Sequence, residues 1–101
     1  MTATVEMHGS VASIILSGNL DYSTQDELRN ATQRALSHKR AREIHVNFAG
    51  VMFLDSSVIR ALIILQKEAD AAGKSLILMN CNEFTREIFE IGGFDMMFTF
   101  R

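Results

Sequence analysis

Val51-Met52-Phe53-Leu54-Asp55-Ser56-Ser57-Val58-Ile59-Arg60 carries the change of period on which the fold turns. Upstream of it, Ile44, Val46 and Phe48 alternate with other side chains, the period-2 pattern of a half-buried strand. Ala49-Gly50 leads from that strand into the apolar residues 51–54. Asp55-Ser56-Ser57 then has the chemistry of a helix start, where short oxygen-bearing side chains accept from the orphan N–H groups of a first turn. The helix is expected to run to Ala72, with Gly73 as its C′ stop. Residues 75–79 follow as a short apolar run that reads as a strand buried on both faces. Strand, helix and strand in this order form the unit of a parallel crossover.

Working outward, Ala3, Val5 and Met7 alternate with Thr4 and Glu6, and His8-Gly9-Ser10 supplies a turn into a second strand over 11–17. So short a connection makes the pair an antiparallel hairpin. Gly18-Asn19-Leu20-Asp21 ends the second strand. Ser23 is the expected N-cap of the first helix, with Asp26 in the first turn, where the dipole favours an acid. Leu28, Ala31, Ala35 and Leu36 form one apolar stripe, which sets Arg29, Asn30, Gln33 and Arg34 on the outer side. Toward the C-terminus, Asn80-Cys81-Asn82 turns the chain, and Phe84, Ile88 and Ile91 mark a third helix stopped by Gly92-Gly93. Residues 97–100 read as a terminal edge strand. The order predicts one α/β domain over 1–101: a mixed sheet of four to five strands, an N-terminal antiparallel hairpin followed by parallel crossovers, covered by helices.

The 101 residues, 48% of them hydrophobic and 22% charged, suit one globular core and exclude a disordered chain. A net charge of −2, from 10 Lys+Arg against 12 Asp+Glu, argues against a dedicated nucleic-acid binder, which needs cationic excess to displace counterions. The single cysteine, Cys81, excludes an internal disulfide and fits a reducing compartment. Met1 to Glu6 shows neither a basic segment nor an apolar stretch of a signal peptide, and the apolar run at 61–65 falls far short of a bilayer span. The expectation is a cytoplasmic protein without membrane contact.

Few residues invite chemistry. His8, His38 and His45 are scattered without ligand spacing, so no metal site is expected, and His45 reads as a strand-face histidine. Gly92-Gly93 lacks a following Lys-Ser/Thr, so no phosphate loop or nucleotide cofactor is expected. Asp21 and Asp55 both follow a strand and precede a helix, which places them at the carboxyl edge of a parallel sheet, where ligands bind in open α/β folds. They are either paired carboxylates of an enzyme or helix caps, and capping is the favoured reading. Ser56 lies in the first turn of its helix, where a phosphate would meet the positive end of the dipole. Arg60, four residues on, falls on the same helical face. The helix from Val58 onward carries more apolar side chains than one face can hide against a sheet, so part of it is either deeply buried or meets a partner.

Three stretches together resemble the STAS-domain family, in its stand-alone bacterial form as an anti-sigma-factor antagonist. Residues Ser17-Gly18-Asn19-Leu20-Asp21 are similar to the family's Gly-x-Leu/Ile-Asp. Residues 51–57 resemble its strand-to-helix segment ending in Asp-Ser-Ser/Thr, and Arg86 to Phe94 is similar to its Arg-x-x-Phe-x-x-x-Gly-Leu signature. The resemblance implies a non-catalytic switch without a cofactor. An anti-sigma factor that is also a serine kinase binds the unmodified form and phosphorylates the serine after the aspartate, here Ser56; a metal-dependent serine phosphatase restores it. By the same resemblance Asp21, Asp55, Ser56, Ser57, Val58 and Arg60 form the partner-binding site of a monomer. Val58 stands where the family usually has glycine, and is expected to narrow the partner's approach. The alternatives are a STAS scaffold without a phosphoswitch and a non-catalytic subunit of a lipid-transport complex.

Overall fold

The computed structural model describes residues 2–101. Strands β1 (Thr2–His8) and β2 (Val11–Leu20) form the hairpin. Helix α1 (Gln25–Leu36) follows through a 3₁₀ turn at Tyr22–Thr24, and then come β3 (Glu43–Leu54) and α2 (Ser56–Ala71). Strand β4 (Ser75–Met79), helix α3 (Glu83–Ile91) and the short β5 (Thr99–Phe100) complete the chain. The five strands lie in the order β1-β2-β3-β4-β5, antiparallel between β1 and β2 and parallel elsewhere. The mixed sheet anticipated from the element order is therefore present with five strands.

Register explains which residues make the core. Ala12 pairs with Ile44 and Ile44 with Leu76; Ile14 pairs with Val46 and Val46 with Leu78. Paired residues share a sheet face, and this one is closed by Leu28, Ala31 and Ala35 of α1, by Val58, Ile59, Leu62 and Leu65 of α2, and by Phe89 of α3. All three helices thus cover one face. The opposite face carries Glu43, His45 and Asn47 on β3, and there His45 takes the strand-face role read from the sequence, 2.8 Å from Glu43 Oε1. Ile77 of β4 is buried on this second face, so β4 is hidden on both sides as its composition implied.

Two departures from simple alternation shape the upper edge. The β2–β3 register slips between Ile15 and Ser17 and again between Gly18 and Asn19, each slip inserting an extra residue on β3. Such bulges bend a strand and re-aim its side chains. Here they leave Met52 and Phe53 exposed in succession between buried Val51 and Leu54. At the first bulge the strands approach so closely that a Cβ on Gly50 would stand 3.0 Å from Ser17 Cβ and 3.2 Å from the Leu16 carbonyl oxygen. The other departure is the length of β2, which continues through Gly18 to Leu20 because Leu20 pairs with Leu54 and is fully buried.

Helix α3 keeps only part of the face its spacing suggested, Ile88, which packs half-buried against the core. Thr85 and Phe89 are the buried residues, while Phe84 and Ile91 are exposed. Phe89 is chosen by its partners: its ring meets Phe48, Phe98 and Phe100 edge-on at 6.5, 5.6 and 5.3 Å between centroids. Arg86 lays its guanidinium 4.1 Å over the Phe100 ring and completes this end of the molecule. The terminal edge strand is confined to Thr99–Phe100, half the expected length.

Candidate functional site

Asp21 and Asp55 stand at equivalent strand-to-helix corners, and the same local chemistry holds both. Each opens a sequence Asp-x-Ser. Asp21 Oδ1 accepts from the Ser23 N–H at 2.9 Å and from the Ser23 hydroxyl at 2.5 Å. Asp55 Oδ1 accepts from the Ser57 N–H at 2.9 Å, the Ser57 hydroxyl at 2.5 Å and the Val58 N–H at 3.3 Å. Extended backbone at each aspartate turns the carboxylate back onto the first turn that follows it. Ser23 is not the cap of α1 as expected: Thr24 holds that position without a side-chain bond, and Asp21 caps the preceding 3₁₀ turn with Ser23 as its donor. Both carboxylates are engaged as caps, the favoured of the two readings drawn from the sequence.

The corners are joined. The Asp55 N–H donates to the Leu20 carbonyl at 3.2 Å, and the Gln25 amide donates to the Ser57 carbonyl at 3.1 Å. The hydroxyl bond from Ser57 holds the Asp55 carboxyl below its ordinary range; burial opposes it and is the next largest influence, and the backbone N–H groups of Val58, Ser57 and Tyr22 add to the lowering. Tyr22 belongs to the other corner, so the charge of one cap is set partly by the loop of its neighbour.

Ser56 and Ser57 differ in what their hydroxyls do. Ser57 is half-buried and committed to Asp55, whereas Ser56 is exposed at the first position of α2. Ser56 opens onto a groove of about 390 Å³ between α1 and α2. Arg60 lines the same groove from one turn further along α2, as the i, i+4 spacing required. Val58 departs from expectation. It is 1% exposed, its side chain belongs to the core, and a branched residue there packs inward instead of narrowing an approach from outside.

The structure adds residues that the sequence did not single out. Arg29, read as outer-face, lines the groove opposite α2, together with Gln25 and Tyr22. Tyr22 is 79% exposed, Met52 75% and Phe53 45% close to the corners in sequence, and Ile64, 52% exposed, lines the groove two turns further along α2. Their signal in the sequence was faint: the excess of apolar residues in α2 is resolved by burying Val58, Ile59, Leu62 and Leu65 and leaving Ile64 in solvent. Among the described residues no cluster of His, Cys, Asp or Glu could hold a metal ion. Among the described residues no helix is long and apolar enough to cross a membrane. Cys81 is half-buried and its thiol is pushed up to about 11 by burial, partly offset by Arg86.

Sheet order, corner geometry and sequence agree in placing the molecule. A family model described as the Mlab, STAS domain matches residues 3–99, and the chain belongs to the STAS-domain family. It is 26% identical over 98 residues to a STAS-domain containing protein of Pseudomonas aeruginosa, covering 97% of this chain and 95% of that one. An anti-sigma F factor antagonist of Paenibacillus polymyxa is 24% identical over 89 residues, covering 88% of this chain and 76% of the relative. Among solved structures, the anti-sigma factor antagonist SpoIIAA of Bacillus in its unphosphorylated form shares the fold with a TM-score of 0.75 at 24% identity, over 99% of this chain and 87% of that one. SpoIIAA has also been solved in a phosphorylated form.

Proposed function

We propose that this chain is an anti-sigma-factor antagonist switched by phosphorylation of Ser56. In the unmodified state the joined corners at Asp21 and Asp55, with Tyr22, Met52 and Phe53 beside them and Ile64 further along α2, bind an anti-sigma factor that is also a serine kinase, and the sigma factor is freed. The kinase transfers the γ-phosphoryl group of ATP to Ser56 Oγ: the new O–P bond forms as the bond to the β-phosphate oxygen breaks, ADP leaves, and the hydroxyl proton passes to a base on the kinase. The chain itself supplies no catalytic group. A metal-dependent serine phosphatase reverses the modification, and the cycle runs in the cytoplasm with the chain as a monomer.

The observation that carries this reading is the division of labour between adjacent serines. Ser57 gives its hydroxyl to the Asp55 cap, and Ser56 stands exposed beside it at the helix start. A phosphate on Ser56 adds about 1.5–2 negative charges at a contact surface, and the partner must desolvate them on docking. The relatives that are anti-sigma factor antagonists, one of them solved in a phosphorylated form, support the same assignment. Incubating the protein with its anti-sigma factor kinase and ATP, then mapping phosphopeptides, tests it. One phosphate on Ser56 is expected, and none on Ser56→Ala, which retains binding.

A further inference from the structure

Helices α1 and α2 lie side by side, and two glutamine amides of α1 reach across to α2. Gln25 Nε2 donates to the Ser57 carbonyl at 3.1 Å, and Gln33 Nε2 donates to Glu68 Oε2 at 3.2 Å. Residues four apart share a helical face. Arg29, midway between the two glutamines, therefore faces the groove from α1, and Arg60, one turn beyond Ser56, faces it from α2. Leu28, Ala61 and Leu65 contribute apolar surface between them.

Among the described residues neither Arg29 nor Arg60 is ion-paired. Of the nearby acids, Glu68 lines the groove but sits three turns beyond Ser56 on α2 and accepts from Gln33, Asp21 and Asp55 cap their own turns, and Asp26 lies beside Arg29 at a second pocket without an ion pair to it. Two like charges facing one groove with an apolar lining favour an anion between them, and less water there strengthens the attraction. Arg29 and Arg60 against the carboxylate of Glu68 leave the groove's lining net cationic in a chain of net charge −2, and Ser56 lines it at the end away from Glu68.

We infer that Arg29 and Arg60 form a two-helix seat for the phosphate of phosphorylated Ser56, holding it across the mouth of the groove. Guanidinium forks match phosphate oxygens, and one from each helix gives the dianion a fixed position. The modification is then read within this chain before any partner is met: the phosphate occupies the groove mouth and takes both arginines out of contact with a partner. This rests on the reading of Ser56 as the modified residue and adds Arg29, from the other helix, as a positioning residue.

The test needs no kinase. Phosphoserine is installed at position 56 of the full chain during translation, and the second ionisation of the phosphate, ordinarily near 6, is followed by ³¹P NMR. Arg29→Gln and Arg60→Gln are each expected to raise that midpoint by about half a unit, and the double variant by about one. Arg60→Lys should raise it less than Arg60→Gln. Arg34→Gln, away from the groove, should leave it unchanged. A midpoint within about 0.1 unit of the parent in either Arg29→Gln or Arg60→Gln overturns the two-helix seat. Because the phosphate is encoded, that failure would leave the assignment of Ser56 as a kinase target standing, and a kinase that ignores Ser56 would leave a positive result here intact.

Discussion

The Ser57 hydroxyl and the Ser57 N–H both donate to Asp55 Oδ1, at 2.5 and 2.9 Å, so one carboxylate oxygen fixes the second residue of α2 through both of its donors. Removing the aspartate strands these groups together with the Val58 N–H. Asp55→Ala is expected to cost about 1–2 kcal/mol of stability. Melting measured by circular dichroism should fall by about 4–8 °C for each kcal/mol lost in a domain of this size. Ser57→Ala removes one of the three bonds and should cost about 0.5–1.5 kcal/mol while leaving Ser56 open to modification.

The same bonds set an acid limit. Asp55 has its carboxyl held below the ordinary 3.8, and Glu43 is held below 4.5 chiefly by its hydrogen bond with His45. A carboxyl with a depressed folded pKa contributes stability above its unfolded pKa, and the contribution is lost as pH falls through the folded value. Stability should therefore be level in this respect above the ordinary carboxylate range and decline once pH drops below about 4. In Asp55→Asn the decline should be shallower, from a lower plateau, as thermal melts across an acid pH series would register.

Cys81 should be a slow thiol. With its pKa pushed up to about 11 from an ordinary 9.0, it holds far less thiolate at neutral pH than a free cysteine does. Reaction with a disulfide reagent at pH 7.5 is expected to be at least about 10-fold slower than for a free thiol, the lower thiolate fraction outweighing its greater nucleophilicity, and to become fast on adding denaturant. Reaction at the free-thiol rate in the native protein would contradict the burial assigned to it.

Packing makes two further demands. Phe89→Ala removes the ring at the centre of the contacts with Phe48, Phe98 and Phe100 and is expected to cost about 3–5 kcal/mol in denaturant unfolding. Gly50→Ala forces a Cβ against Ser17 and the Leu16 carbonyl at the first bulge and should cost about 1–3 kcal/mol. Since that bulge lies on the strand that delivers Asp55, Gly50→Ala is also expected to weaken partner binding more than an equally destabilising change in α3.

Much of this was legible in the sequence because local pattern and global packing agree. The period change at Asp55, the stop at Gly73 and the run at 75–79 each had a local cause that survives in the fold. What was not legible depends on neighbours distant along the chain. The outer side of α1 was set by its own stripe, but α2 lies beside it, so Arg29 lines a groove that Ser56 and Arg60 also line. Phe84 and Ile91 have helical spacing, yet the aromatic cluster around Phe48 selects Phe89 and rotates α3 accordingly. Strict alternation cannot foresee a bulge, so the successive exposure of Met52 and Phe53 was hidden in an apolar run. Val58 was assigned to the contact surface by the family resemblance, and the turn of the helix puts it in the core.

The most direct measurement pairs affinity with stability for Ser56→Asp. Asp55 already caps α2, and an added charge at the next position lies where the helix dipole favours it, so the melting temperature should hold or rise, by at most about 1 kcal/mol of stability. Binding to the anti-sigma factor kinase, followed by calorimetry, should weaken by roughly 30- to 150-fold, equivalent to about 2–3 kcal/mol, and authentic phosphorylation should weaken it further. Affinities equal to wild type in both Ser56→Asp and the phosphorylated protein would contradict the switch and leave Ser56 as an ordinary first-turn serine.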